Sequence, residues 1–80
     1  MEIVFTKQAA KDFEKVKQNP ALLKKVVALL NLIEEDPFAK PTTYEKLIGF
    51  KSVYSRRINL QHRLVYQLYE NEKVIKIIIM

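Results

Sequence analysis

The 80-residue sequence has no cysteine, a single histidine, a single glycine and three prolines. Without cysteine, neither disulfides nor thiolate metal ligands can hold the fold, so hydrophobic packing must, which suits a reducing cytoplasm. One histidine without cysteine cannot build a transition-metal site, so no metal and no cofactor is expected. The opening segment, "MEIVFTKQAAKDFEKV", is interrupted by charge every few residues. It fits neither a secretory signal nor a membrane span. Repeats, linkers and low-complexity segments are also missing. What is present is 49% hydrophobic residues, enough for one compact core over residues 1–80 and too little chain for a second domain. The expectation is a soluble cytoplasmic domain.

The formal net charge of +5 makes polyanions the natural partners: nucleic acid, the ribosome or an acidic protein. Charge alone does not separate such a binder from a soluble domain that favours lysine. The placement of the arginines therefore carries more weight than their number.

Along the chain, "EIVF" (residues 2–5) is β-prone, and Thr6 stands where a helix N-cap would accept an orphan backbone N–H. Ala9, Phe13 and Val16 then recur at helical spacing. In "NPALLKKVVALLNLIEEDP", Asn19 is the cap and Pro20 the first helical residue. Leu22, Leu23, Val26, Leu29, Leu30 and Ile33 share one face, and Pro37 ends the helix. Two such helices predict a hairpin covering a sheet. From Pro41 the period changes: "KPTTYEKLIGFKS" reads as a loop or short edge segment with the only glycine, Gly49. Three β-rich runs follow, at 53–58, 62–69 and 74–80, separated by "NLQ" and "ENEK". The expected fold is α+β in the order β-α-α-β-β-β, with the helix pair on one face of a mainly antiparallel four-stranded sheet.

If "NLQ" is a three-residue turn, Ile58 opposes His62, Arg57 opposes Arg63, Ser55 opposes Val65 and Tyr54 opposes Tyr66. If "NE" turns the next hairpin, Leu68 meets Ile75, Tyr66 meets Ile77 and Leu64 meets Ile79, forming an apolar face for the helices. Met80 then falls opposite Arg63. The other face carries Arg57, Arg63, Ser55, Gln67 and Lys76. Opposed like charges on a sheet are destabilising unless an anion or carboxylate compensates them. A structural ion pair with Glu45 would do so; so would an RNA phosphate, which the planar arginine fork suits. Glu45 could then accept a proton from a ribose 2′-hydroxyl while the arginines hold the charge developing on the phosphoryl oxygens. His62 shares the parity of Leu64 and Tyr66, which makes it a structural residue near the turn and not the general acid.

At these residues the chain resembles the RelE-superfamily toxins of the Txe/YoeB type. The resemblance rests on "YSRRIN" with "QHRLVY", on "DPF" and "YEKL", and on the element order over essentially the whole chain. It implies a RelE-like, microbial-RNase-like fold. It also implies the toxin of a type II toxin–antitoxin pair, a ribosome-dependent endoribonuclease cutting mRNA in the A site without a metal. The partners it implies are a cognate antitoxin, mRNA and rRNA, with a homodimer compatible and no membrane. By motif, Glu45 matches the family's general base, Arg63 the transition-state arginine and Arg57 a second phosphate-side arginine. Ser55, Arg56, Lys46, Lys51 and Lys76 are the candidate substrate-binding residues around them. Family members end in a His-Tyr tail whose histidine is the general acid, whereas this sequence stops at "IKIIIM". The expectation is that a few C-terminal residues are lacking and that the 80-residue form is impaired in cleavage. The alternative function is a basic module that engages antitoxin or ribosome without cutting.

Overall fold

The computed structural model describes residues 1–38 and 44–80. The elements run β1 (Glu2–Phe5), α1 (Lys7–Val16), α2 (Pro20–Glu35), β2 (Tyr44–Lys46), β3 (Val53–Arg57), β4 (Arg63–Tyr69) and β5 (Val74–Ile79). The sheet has five strands in the order β1-β5-β4-β3-β2, not the expected four. All neighbours are antiparallel except β1, which lies parallel to β5. The added strand is β2, in the segment read as a loop or edge piece; residues 40–43 of that segment lie outside the described residues.

Both helices start at their expected caps. The Ala9 N–H donates to Thr6 Oγ1 at 3.0 Å and the Leu22 N–H to Asn19 Oδ1 at 3.2 Å, each satisfying an orphan donor. Pro20 opens α2, where its missing N–H costs nothing. Leu22, Val26, Leu29 and Ile33 of α2 and Ala9 and Val16 of α1 are buried, with Leu23, Leu30 and Phe13 at the margin. They pack on Ile58, Leu64, Tyr66, Leu68, Ile75 and Ile77 of the sheet. Each full burial of a large apolar side chain contributes about 1.5–3 kcal/mol. This layer is the core, and it leaves the sheet's other face uncovered by helices.

The β3–β4 hairpin has the register expected of a three-residue turn: Ile58 N–H donates to His62 O at 2.9 Å, and Arg57 pairs with Arg63. The Asn59 side chain accepts the Gln61 and His62 N–H groups at 2.9 and 2.8 Å, fixing the turn from inside. In the β4–β5 hairpin Leu68 pairs with Ile75 and Tyr66 with Ile77 as expected, but Ile79 pairs with Val65 and not with Leu64. An irregularity at Val65/Tyr66 leaves Ile78 as the extra residue of β5. Thr6 explains why it is stable, since its hydroxyl donates to the Ile78 carbonyl at 2.8 Å while its N–H donates to Ile77 O. Met80 consequently packs toward the core, its N–H on Asp12 Oδ2 at 3.2 Å, and does not stand opposite Arg63.

Candidate active site on the open face of the sheet

Strand alternation divides β3 between two environments. Tyr54 and Arg56 point into the helix side, and Ser55 and Arg57 point out. On β4, Arg63 and Val65 share the outer side. Glu45 joins them because it pairs with Ser55 at the centre of the three-residue β2. One face therefore brings together Glu45, Ser55, Arg57 and Arg63, which line a cleft of about 280 Å³.

Within the cleft, Arg63 Nη1 lies 3.8 Å from Glu45 Oε1 and donates to Ser55 Oγ at 3.4 Å. The Glu45 and Arg63 side chains are 71% and 43% exposed, so their ion pair contributes at most about 1 kcal/mol. Both groups stay open to an incoming ligand. Ser55, by contrast, is buried and forms the floor. Arg57 stands across the ladder from Arg63, and its side chain also borders a larger hollow of about 580 Å³ with Lys25 and the turn residues Ile58, Asn59, Leu60 and Gln61. A carboxylate, a hydroxyl and two guanidinium groups on one exposed face can hold an anion of two or more oxygens and accept a proton beside it. His62 does not line the cleft; its backbone secures the turn.

Four expected contact residues lie elsewhere. Arg56 is 0% exposed, on the helix side of the sheet: its Nε donates to Tyr66 Oη at 3.0 Å, its Nη2 donates to Pro37 O at 2.9 Å, and it lies 5.1 Å from the Tyr44 ring centroid. Lys46 pairs with Tyr54 and so takes the side of the sheet opposite Glu45. Lys51 borders a separate hollow with Ser52, Tyr69 and Glu70, and its carbonyl accepts from Gln67 Nε2. Lys76 shares the outer face but pairs with Gln67, four residues and roughly 13 Å along β4 from Arg63. The buried role of Arg56 had a signal in its parity with Tyr54, which the attraction of a positive charge to phosphate outweighed.

Below the cleft, Phe38, Tyr44, Tyr54 and Tyr66 form an aromatic row. Phe38 meets Tyr44 at 5.6 Å and Tyr54 at 5.5 Å, Tyr44 meets Tyr54 at 5.8 Å, and Tyr54 stacks on Tyr66 at 6.0 Å. Tyr66 donates to Pro37 O at 3.2 Å, and burial pushes its phenol above the usual tyrosine range against the opposing pull of Arg56. Among the described residues, no helix is long and apolar enough to cross a membrane.

Against known proteins, the family model for the YoeB-like toxin of bacterial type II toxin–antitoxin systems matches residues 5–80. Toxin YoeB of Synechocystis sp. is 39% identical over 77 residues, covering 94% of this chain and 90% of its own. The YoeB/ParE toxin from Agrobacterium tumefaciens has the same fold with a TM-score of 0.90 at 27% identity, covering 99% of this chain and 94% of that one. A chain of the heterotetrameric YoeB–YefM toxin–antitoxin complex from Staphylococcus aureus matches with a TM-score of 0.83 at 35% identity, covering 99% and 92%.

Proposed function

The chain belongs to the YoeB-like toxins of bacterial type II toxin–antitoxin systems, and on that premise we propose that it is an endoribonuclease cutting mRNA in the ribosomal A site. The observation that carries this reading is the cleft itself, where Glu45 lies 3.8 Å from Arg63 and Arg57 stands opposite. In the proposed reaction Glu45 takes the proton of a ribose 2′-hydroxyl, and the 2′-oxygen forms a bond to the adjacent phosphorus. The bond from phosphorus to the 5′-oxygen breaks, leaving a 2′,3′-cyclic phosphate, and the departing oxygen takes a proton to become a 5′-hydroxyl. Arg63 and Arg57 hold the negative charge that builds on the two non-bridging oxygens, a contribution of about 10²–10³ in rate for each such donor. One carboxylate in a cleft lined by two guanidinium groups is an unfavourable seat for a divalent cation, so this proposed reaction uses none.

The partners in this reading are mRNA and rRNA, met in the cytoplasm, and an antitoxin, as in the YoeB–YefM complex. Docking on the ribosome supplies the phosphate that separates Arg63 from Glu45 and frees the carboxylate to act as a base. Controlled expression tests it: protein synthesis should stop on induction, and Glu45→Gln or Arg63→Ala should relieve the arrest. Equal arrest by these variants would contradict it. A second reading, binding to antitoxin or ribosome without cleavage, is favoured by one observation: the Glu45 carboxylate is already engaged by the Arg63 guanidinium at 3.8 Å. That reading predicts stalled ribosomes carrying intact mRNA.

A further inference from the structure

We infer that Tyr44 and the buried Arg56 are positioning residues that hold Glu45 in reach of the substrate. The inference rests on the reading of Glu45 as the general base. Strand β2 is three residues long, lies at the sheet edge and pairs only with β3. A pairing that short does not hold itself. Glu45 occupies its centre with an exposed side chain, and its contact with Arg63 is a 3.8 Å ion pair open to solvent. Among the described residues, that exposed ion pair is the contact on the outer face that bears on where its carboxylate sits.

The fixing comes from the other face. Tyr44 pairs with Arg56 across the ladder, and its ring lies 5.1 Å from the Arg56 guanidinium carbon. That guanidinium is locked in turn by Tyr66 Oη and the Pro37 carbonyl, which are held to each other at 3.2 Å. The Tyr44 ring is also edge-on to Tyr54 and tilted against Phe38. Arg56 is thus a strut from the core to the edge strand: rooted in β4 and in Pro37 just past α2, and capped by the residue before the base. Arginine is required because one planar group must serve two acceptors and a ring at once, which lysine cannot do. Positioning of this kind matters for rate, since misplacement of a reacting group by about 1 Å can cost on the order of a hundredfold.

The test combines an exchange measurement with a kinetic cycle on the protein. In Tyr44→Leu, hydrogen exchange at the amide of Leu47, which follows β2 and donates to Val53 O, should quicken at least about tenfold while β4 and β5 amides keep their rates. Arg56→Lys should quicken Leu47 as well, on top of a general quickening from its lost bonds to Tyr66 and Pro37, and Tyr44→Phe, which keeps the ring, should do neither. In single-turnover cleavage on programmed ribosomes, Tyr44→Leu should lower kcat by about ten- to a hundredfold at unchanged KM. In a Glu45→Gln background it should lower kcat no further, because it acts through Glu45. Unchanged exchange in Tyr44→Leu, or equal kinetic losses in both backgrounds, would overturn the inference. Full activity of Glu45→Gln alone would instead overturn the assignment of the base, and the exchange pattern would still decide whether Tyr44 anchors the strand.

Discussion

Arg57 stands directly across the β3–β4 ladder from Arg63, two like charges paired on adjacent strands of the open face. Such a pair costs about 0.2–1 kcal/mol unless an anion lies between its members. Arg57→Gln should therefore leave the free protein as stable as wild type or more stable by up to that amount, while weakening its grip on RNA. Chemical denaturation and binding of a short 2′-deoxy-protected RNA check the two halves. A loss of stability would mean that Arg57 is a structural partner after all.

Glu45→Gln separates chemistry from folding at the same cleft. Its side chain is 71% exposed, so the folding free energy should change by less than about 1 kcal/mol. Cleavage should fall by about 10²–10⁴-fold. Parallel measurement of the denaturation midpoint and the single-turnover rate checks both.

Arg56→Ala should act in the reverse way. It takes the Arg56 donors away from the Pro37 carbonyl and from Tyr66 Oη and opens a void beneath Tyr44. The expected cost is about 2–5 kcal/mol. In a domain of this size each kcal/mol lowers Tm by about 4–8 °C. A normal Tm with weakened RNA binding would instead restore Arg56 as a substrate contact.

Tyr66 sets the alkaline limit. Burial raises the folded-state pKa of its phenol above the ordinary value of 10.0, so the unfolded chain loses this proton first and binds fewer protons than the native state. Its contribution is fully present below pH 10 and is lost as pH rises from there through the folded pKa. Tyr66→Phe should flatten that part of the stability–pH curve. It should also cost about 1–3 kcal/mol at neutral pH, because Arg56 Nε loses its acceptor. Urea denaturation at neutral pH and between pH 9 and 11 checks the slope and the offset.

The parts legible in the sequence are those fixed locally or by parity. Thr6 and Asn19 place the helix starts through bonds to residues three positions away, and Pro20 opens α2 by its ring geometry. The "NLQ" turn fixes Arg57 against Arg63 by counting alone. What was not legible depends on partners distant along the chain. Residues 44–46 are too few to show a period, and they become a strand because β3 offers a free edge and Tyr44 a ring for Arg56. The shift that sends Met80 to the core arises where the Thr6 hydroxyl captures the Ile78 carbonyl, 72 residues away. The burial of Arg56 likewise needs Tyr66 and Pro37, 10 and 19 residues off. Charge spoke for the surface, and the sheet's parity decided otherwise.

The central claim is that Glu45 and Arg63 carry out RNA cleavage in this cleft, and the most direct measurement is primer extension on mRNA from programmed ribosomes incubated with the protein. The account predicts a cut within the A-site codon, with a cyclic phosphate on the upstream fragment, that disappears in Glu45→Gln and in Arg63→Ala. Intact mRNA with the wild-type chain, or the same cut with either variant, would contradict it.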